Sequence, residues 1–315
     1  MKHITVVTPC YNEEDNVEEV YRQARAVFES IEDVSYKHLF IDNFSSDKTP
    51  DILRRMASED PNVQVILNAR NFGHIRSPYH GLLQAEGDAA IVLVADLQDP
   101  PELMREFVRH WKEGAKLVVG VKPSADESGR MFAIRRAYYR FITRIADVKL
   151  IQNFTGFGLY DRRVLEVLRK IDDPYPYLRG LVSEVGFEPI KLPDNQPLRK
   201  RGITKNNFYS LYDMAMLGIT SHSRVPLRIA TIAGFFLSGL SLTISLVYLL
   251  LKLVFWNTFA AGTAPILFGL FFFASVQLFF IGLLGEYVGA ILTQVMKRPL
   301  VVEREQINLE EPTKC

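Results

Sequence analysis

Two stretches without a charged residue lie near the carboxyl end of this 315-residue chain, at 229–251 and 253–285. Each supplies the roughly 20 apolar residues that a helix needs to cross a bilayer. A buried core helix would explain one such stretch, but it is a poor explanation for two in succession. Pro265 and the small polar residues 257–263 mark a turn between them. We therefore predict transmembrane helices at about 229–252 and 264–285, within a membrane segment 228–290. A tail, 291–315, follows, and its last ten residues are expected to be disordered.

The charges around this pair predict its orientation. The basic residues that flank its outer ends are Arg224, Arg228, Lys297 and Arg298, whereas the turn side carries only Lys252. Because cytoplasmic flanks of membrane helices are enriched in Lys and Arg, both chain ends are predicted to be cytoplasmic, in an inner or plasma membrane. No secretory signal is expected, since the chain opens directly into a strand pattern. Cys10 and Cys315 are far apart in sequence and fit free thiols in a reducing compartment.

Short apolar runs alternate with helical patterns over residues 1–200. The strand-like runs lie at 4–8, 37–41, 63–67, 89–93 and 116–121, and a further run at 153–160 contains Gly156 and Gly158. Strands that alternate with helices of this kind form an α/β domain with a mainly parallel sheet covered on both faces. Glycines inside a strand mark the close approach of another backbone or a ligand. A basic loop and an amphipathic segment, which we predict to lie on the membrane surface, follow at 201–227.

Polar residues follow three of these strands, at 11–14, 42–47 and 96–99. Ligands of open α/β sheets bind at the carboxyl ends of the strands, so we predict a nucleotide pocket at this edge. The chain has no Gly-x-Gly-x-x-Gly motif and no Walker lysine, which argues against a dinucleotide or ATP cradle. A pyrophosphate would therefore be held by a metal and by basic side chains. The net charge of +1 gives no indication of nucleic-acid binding.

Asp96, Gln98 and Asp99 lie within four residues, directly after a buried strand pattern. Three oxygen ligands without Cys or His suit a hard divalent cation, Mg²⁺ or Mn²⁺, that also binds phosphates. The alternative is an ordinary strand end, in which Asp99 caps the next helix and Pro101 lies in its first turn. The spacing alone allows both interpretations.

A basic amphipathic pattern begins near residue 131. Arg136, Arg140 and Arg144 recur at four-residue spacing, with Arg135 beside them, and an apolar face lies opposite. Such a helix is typical of a membrane surface, although a charged face exposed to solvent is the alternative. We favour the membrane surface because two long apolar stretches follow. Lys205 belongs to the second basic loop, which leads into those stretches.

An ordered series of motifs along nearly the whole chain resembles family 2 glycosyltransferases, in particular those that make polyprenyl-phosphate sugars. The motifs are Thr8-Pro9-Cys10-Tyr11-Asn12-Glu13-Glu14, Asp42 with Ser45, Asp47 and Thr49, Arg70-Asn71-Phe72-Gly73, Ala95-Asp96-Leu97-Gln98-Asp99-Pro100-Pro101-Glu102, Gly202-Ile203-Thr204-Lys205 and Gly285-Glu286-Tyr287-Val288-Gly289. The resemblance implies a GT-A fold and an inverting hexose transfer from a nucleotide sugar, UDP-linked glucose or N-acetylhexosamine, to undecaprenyl or another polyprenyl phosphate. It also implies a homotetramer, with a flippase and a further glycosyltransferase acting on the product.

The resemblance further implies roles for individual residues. Those placed around the nucleotide are Thr8, Pro9, Tyr11, Glu13, Asp42, Ala95 and Asp96. Asp96 and Gln98 would hold the divalent metal. Independently of the resemblance, the basic residues Arg135, Arg136, Arg140 and Lys205 are candidates for clamping the acceptor phosphate, because their charge can offset the repulsion between two phosphates. Asp96, Asp99 and Arg136 are thus the expected catalytic residues.

Three positions depart from the family pattern. The usual Asp-x-Asp becomes Val94-Ala95-Asp96, the usual Asp-Asp-Gly-Ser becomes Asp42-Asn43-Phe44-Ser45, and Gly156-Phe157-Gly158 replaces an acidic residue followed by Phe-Arg. One alternative is therefore a catalytically impaired membrane scaffold that only binds a nucleotide, and a second is a glycosyltransferase with another lipid acceptor. A processive polysaccharide synthase is disfavoured because its Gln-x-x-Arg-Trp signature is absent.

Overall fold

The computed structural model of the protein describes residues 1–122, 151, 153–194, 225–254 and 263–309. The strands in these ranges are β1 (Lys2–Cys10), β2 (Val34–Asp42), β3 (Val63–Asn68), β4 (Ala89–Val92), β5 (Leu117–Val121), β6 (Phe154–Asp161), β7 (Ile190–Pro193) and β8 (Glu303–Ile307). The helices are α1 (Val17–Glu29), α2 (Thr49–Glu59), α3 (Gly73–Gln84), α4 (Leu103–Lys112), α5 (Arg162–Lys170), α6 (Leu178–Glu184), α7 (Val225–Val254) and α8 (Thr263–Met296). These strands form one mixed sheet in the order β7-β5-β6-β4-β1-β2-β3-β8.

The centre of the sheet consists of four parallel strands, in the order β4-β1-β2-β3. Successive side chains of a strand point to opposite faces, and β1 packs accordingly. Val7 lies in a buried cluster with Tyr79 of α3 and Leu165 of α5. Val6 lies in a second cluster with Val20 of α1 and Phe107 of α4. Helices therefore cover both faces, and the predicted mainly parallel α/β sheet is confirmed.

Helix α4 begins at Leu103, so Pro101 precedes the helix and does not lie in its first turn. Its N-cap is Glu102, which makes no side-chain capping hydrogen bond. Pro100 and Pro101 first form a turn, in which the backbone N–H of Leu103 donates to the Pro100 carbonyl at 3.1 Å. Asp99 lies before this turn and is only 2% exposed. The alternative interpretation, in which Asp99 caps the helix, is therefore wrong, and its carboxylate belongs to the loop that follows β4.

Strand β6 runs antiparallel between β4 and β5, a reversal that the sequence pattern did not indicate. Gly158 pairs with Val92 on one side and with Val119 on the other. A Cβ atom at Gly158 would lie 2.7 Å from the carbonyl oxygen of Val118, so the predicted close approach of another backbone is confirmed here. Gly156 has open space around it but a φ of +111°, which residues with a Cβ rarely adopt.

Replacement of Gly158 is expected to destabilise the sheet. In Gly158→Ala the new methyl group meets backbone atoms, which cannot rotate away, so we expect a loss of about 3 kcal/mol of unfolding free energy. Thermal unfolding of the purified protein measures this as a lower Tm. Gly239→Ala on α7 is the control, because a Cβ there has no heavy atom within 4 Å. Equal Tm values for the two variants would contradict the prediction.

Helices α7 and α8 expose large apolar side chains. On α7, Phe235 and Phe236 are 76% and 78% exposed, and on α8, Phe279 and Val295 are 70% and 72% exposed. Soluble proteins rarely expose apolar surface of this extent. Of the described residues, one helical segment, Phe272–Met296, is long and apolar enough to cross a membrane, and Leu227–Ser241 is a shorter apolar helix. This composition is suited to membrane association, and the pair of spans stays a prediction.

The last described strand, β8, returns to the sheet after α8 and pairs antiparallel with β3. Arg54 of α2 donates to Glu305 of β8, with its Nη2 at 2.8 Å and its Nε at 3.2 Å. The side-chain amide of Asn308 donates to the carbonyls of Ala57 and Val63 at 2.8 and 2.9 Å. The expectation of a disordered tail is therefore wrong for residues 306–309, because pairing along the β3 edge orders them.

Candidate active site

Two loops at the carboxyl edge of the sheet are joined by hydrogen bonds. The loop after β1 and the loop after β2 exchange contacts: the N–H of Asn12 donates to Ser45 Oγ, and the N–H of Ser46 donates to Asn12 Oδ1, both at 2.8 Å. The N–H of Glu13 donates to Thr49 Oγ1 at 2.9 Å. These bonds fix the two loops relative to each other, so this side of the candidate pocket is preformed.

Asp42, the last residue of β2, is fully buried. Ser45 donates both its backbone N–H, at 3.1 Å, and its hydroxyl to the Asp42 carboxylate. Burial raises the pKa of Asp42, and the hydrogen bonds from Ser45 and from the Phe44 backbone oppose that rise. Asp42 therefore holds the loop that carries Ser45 in place, whether or not it also contacts a nucleotide.

Asn43 links the end of β2 to the loop between β3 and α3. Its amide nitrogen donates to Asn71 Oδ1 at 3.0 Å and to the Gly73 carbonyl at 3.2 Å. Its amide oxygen accepts from the Phe72 N–H at 2.9 Å and from Asn68 Nδ2 at 3.2 Å. A carboxylate at this position would have no N–H to donate. The departure from the family's aspartate therefore has a structural role in this chain.

Asn43→Asp is expected to loosen the loop 69–73. The variant loses two donated hydrogen bonds in a buried setting, at a cost of about 1–3 kcal/mol, and differential scanning fluorimetry would show a lower Tm. The matched control is Asn71→Asp, because the Asn71 oxygen only accepts, from Asn43 and from the Gly73 N–H. That control should unfold within about 1 °C of the wild type, since a carboxylate keeps both acceptor contacts. A Tm that falls equally in both variants would contradict this account.

Asp96, Gln98 and Asp99 lie in one short loop after β4. Leu97 adopts a φ of +57°, and the N–H of Gln98 donates to Asp96 Oδ1 at 3.2 Å. In the part of the chain that the structure describes, three or more His, Cys, Asp or Glu side chains nowhere come together in a group that could hold a metal ion. Asp96 and Gln98 offer a carboxylate and an amide oxygen. This donor set fits Mg²⁺ or Mn²⁺ when phosphates and waters complete the coordination.

The other residues predicted to contact the nucleotide occupy different settings. The Thr8 hydroxyl lies 2.8 Å from His38 Nε2, and both residues are fully buried inside the sheet. Burial lowers the pKa of His38 to about 3, so its ring is neutral. Tyr11 is 37% exposed at the edge of the sheet, whereas Ala95 is buried. Glu13 is half-buried in the loop after β1.

The structure brings the loops after β4, β1 and β2 to one edge, because these strands are adjacent and parallel. Pro9 lies opposite Ile41 in the paired ends of β1 and β2. The four residues proposed for the acceptor phosphate, which are Arg135, Arg136, Arg140 and Lys205, lie outside the described residues. The sequence did not predict that Asn12 joins the loops after β1 and β2, or that Asn43 joins the end of β2 to the loop 69–73. The only sequence signal was the density of polar residues in these loops.

The domain that carries these loops matches a known family. Residues 5–169 match the family described as glycosyl transferase family 2. The chain belongs to this family. A Bacillus subtilis (strain 168) protein, "Uncharacterized glycosyltransferase YkcC", is 33% identical over 314 residues, which are 98% of this chain and 96% of that protein. The bactoprenol glucosyl transferase of Shigella phage SfII is 32% identical over 297 residues, which are 94% of this chain and 96% of that protein.

The protein is therefore a glycosyltransferase, and the resemblance that the motifs indicate is confirmed. Among solved structures, the mannosyltransferase PcManGT from Pyrobaculum calidifontis, in complex with GDP-Man and Mn²⁺, is similar over 94% of this chain and 87% of that chain. The identity is 15% and the TM-score is 0.44. The family assignment rests on the family match and on the sequence relatives. The similarity to these relatives extends over the apolar helices as well as over the sheet.

Proposed function

We propose that this glycosyltransferase moves a hexose from a nucleotide sugar to undecaprenyl or another polyprenyl phosphate at the cytoplasmic face of a membrane. The donor would be UDP-linked glucose or N-acetylhexosamine. The observation that carries the proposal is the similarity, over 94% of this chain, to a protein named bactoprenol glucosyl transferase. The similar region includes α7 and α8, which are the elements that would meet a lipid acceptor. A homotetramer, and a flippase and further glycosyltransferase that use the product, are proposed on the same basis.

The lipid phosphate itself supplies the nucleophile. The second pKa of a phosphate monoester is about 6, so the acceptor is largely a dianion at neutral pH and needs no general base. One of its oxygens forms a bond to the anomeric carbon while the bond from that carbon to the nucleoside diphosphate breaks. Attack from the face opposite the leaving group inverts the anomeric configuration. The enzyme's task is to orient two phosphates and to offset their repulsion.

The described loops suit this task. Asp96 and Gln98 would hold Mg²⁺ or Mn²⁺ against the diphosphate, where a bound divalent ion stabilises the charge that develops on the leaving group. Tyr11 and Glu13, held against the loop after β2, would border the base and ribose together with Asp42. Asp99 lies beside this group as a buried second carboxylate. Basic residues proposed for the acceptor phosphate are Arg135, Arg136, Arg140 and Lys205.

The position of β8 supports a hairpin of two membrane spans. This strand follows α8 in sequence yet pairs with β3 of the sheet that precedes α7. The chain must therefore return to the side on which the sheet lies, which requires an even number of crossings. Two crossings by α7 and α8 meet this requirement, with the sheet and both chain ends in the cytoplasm.

The hairpin predicts opposite labelling of two positions. A cysteine at Asn257, between α7 and α8, should react with a membrane-impermeant maleimide in intact cells, whereas a cysteine at Arg304 should react only after lysis. The variants would be made with Cys10→Ser and Cys315→Ser, so that each chain has one thiol. Labelling of both positions, or of neither, in intact cells would contradict the proposed topology.

The proposed reaction is tested by transfer of radiolabelled sugar from UDP-glucose, UDP-N-acetylglucosamine and UDP-N-acetylgalactosamine to undecaprenyl phosphate, with Mg²⁺ or Mn²⁺. Membranes that contain the protein should yield a chloroform-soluble, mild-acid-labile product from one donor. Membranes that contain Asp96→Asn should yield about 10³-fold less. The absence of a lipid product with every donor, from protein that still binds a nucleotide, would refute the proposed acceptor.

A further inference from the structure

Three basic side chains outside the Asp96 loop lie on helices α3 and α6. His74 and Arg76 are in the first turn of α3, which follows β3, and Arg179 is in α6. The guanidinium carbon of Arg76 lies 5.2 Å from the ring centroid of Tyr175, in the loop between α5 and α6. This contact joins the beginning of α3 to the loop that leads into α6. We call His74, Arg76 and Arg179 the basic cluster.

The loop that carries Tyr175 also contacts the polar end of α8. The side-chain amide of Gln294 donates to Asp173 Oδ1 at 2.8 Å, and Lys297 Nζ lies 3.5 Å from Asp172 Oδ2. The apolar segment Phe272–Met296 of α8, which is long enough to cross a membrane, ends at these contacts. The last turn of α8 would therefore lie at the surface of a membrane that this segment crosses. The basic cluster is therefore linked, through a single loop, to the level at which lipid headgroups lie.

Within the described part of the chain, no carboxylate balances the charge of the basic cluster. Among the residues that the structure describes, none of its three side chains forms an ion pair. The Nε atom of Arg76 is buried without a hydrogen-bond partner. The acids of the adjoining loop, Asp172 and Asp173, instead contact α8. A buried donor without an acceptor is costly, and an anion that supplied the acceptor would relieve this cost.

Electrostatic effects connect the basic cluster to the candidate active site. The pKa of His74 is lowered first by desolvation and then by the positive charge of Arg179. Burial raises the pKa of Tyr160, and Arg179 and Asp99 act on it in opposite directions. The charge of Arg179 thus affects the pKa of both His74 and Tyr160, and the charge of Asp99 also affects the pKa of Tyr160. The contacts of Arg76 with Tyr175 and of Asp173 with Gln294 link the cluster to the end of α8.

We propose that His74, Arg76 and Arg179 bind the phosphate group of the lipid acceptor. This inference rests on the proposed function and assigns part of its acceptor site to described residues. The planar guanidinium groups match phosphate oxygens in bidentate geometry, and a phosphate oxygen supplies the acceptor that Arg76 Nε lacks. A phosphate bound here would have its lipid chain directed to the end of α8, and the inference requires its nucleophilic oxygen to face the donor held at Asp96.

The test compares Arg76→Gln and Arg179→Gln with Arg163→Gln in the full-length protein. Arg163 is an exposed arginine at the opposite edge of the sheet, so its replacement removes the same charge elsewhere. The readouts are the KM for undecaprenyl phosphate, the Kd for UDP, and the rise in Tm caused by undecaprenyl phosphate or by undecaprenol. We expect both cluster variants to raise the acceptor KM at least tenfold and to lose the rise in Tm specific to the phosphate. The Kd for UDP should change less than twofold, and Arg163→Gln should match the wild type.

Each other outcome has a defined meaning. An unchanged acceptor KM in both cluster variants, with active wild-type protein, overturns the inference and leaves the proposed function intact. A weaker Kd for UDP with an unchanged acceptor KM assigns the cluster to the donor diphosphate and also overturns it. Wild-type protein that neither binds nor glycosylates undecaprenyl phosphate overturns both proposals. If Arg76→Gln fails to fold, Arg179→Gln and Arg76→Lys decide, and Arg76→Lys should recover part of the affinity because it restores the charge.

Discussion

Asp96→Asn is expected to reduce sugar transfer by about 10³-fold without loss of the fold. The amide is the same size as the carboxylate and can still accept the hydrogen bond from the Gln98 N–H, which is 3.2 Å long in the wild type. It cannot provide the anionic ligand that a divalent ion needs beside two phosphates. Loss of such electrostatic stabilisation of a transition state costs about 4 kcal/mol, which corresponds to this change in rate. The measurement is initial velocity at saturating donor and acceptor, over a range of Mn²⁺ concentrations.

Asp15→Asn is the matched control for this prediction. Asp15 is an exposed carboxylate in the loop after β1, at the same edge of the sheet, so its replacement changes the local charge equally. We expect this variant to retain wild-type turnover and wild-type metal dependence. Asp96→Asn that retained more than about one tenth of wild-type turnover would contradict the metal assignment, given the magnitude expected for such a ligand. A chelator should abolish wild-type activity, and added Mn²⁺ should restore it.

The sequence predicts the central strands well because their residues are apolar and β-branched over runs that alternate with helices. Each of β1 to β4 contains or nearly coincides with its predicted run. Strand β8 could not be predicted in this way. Four residues of this strand, Glu303–Ile307, are polar. Such a composition is possible at the edge of a sheet, where only alternate side chains face the core. What orders β8 is its pairing with β3 and contacts such as that of Arg54 with Glu305. These partners lie about 240 residues earlier in the chain, so no local pattern reveals them.

The same difference applies to the candidate active site. Asp42, Asp96 and Gln98 are predictable because they belong to short motifs whose residues act together. The role of Asn43 is not predictable, since three of its four hydrogen bonds reach across to the loop 69–73 and the fourth comes from Asn68 at the end of β3. The basic cluster is likewise assembled from α3 and α6, which are about a hundred residues apart. Each arginine by itself looks like a solvated surface residue, and only the fold shows that neither forms an ion pair with another described residue.

Deletion of residues 301–315 is expected to prevent stable folding of the sheet, even though every residue of the central strands remains. The residues of β3 are all buried, and without β8 their backbone groups form an unpaired edge that favours aggregation. Hydrogen bonds to Ala57 and Val63 from Asn308 would also be lost. Size-exclusion chromatography and thermal unfolding of detergent-solubilised protein should show aggregation or a large fall in Tm. Deletion of residues 310–315 is the control, because it leaves β8 and Asn308 in place.

Asn308→Ala tests the same contact without shortening the chain. It should lower the unfolding free energy by about 1–3 kcal/mol, since two buried carbonyls lose their donor. A deletion of 301–315 that unfolds like the wild type would show that β8 contributes nothing to the sheet. If the prediction holds, the fragment 1–200 cannot fold as an independent domain, because its sheet lacks the strand that follows both apolar helices. Folding of the sheet would then be complete only after α7 and α8 had been made, which ties the catalytic edge to the membrane segment.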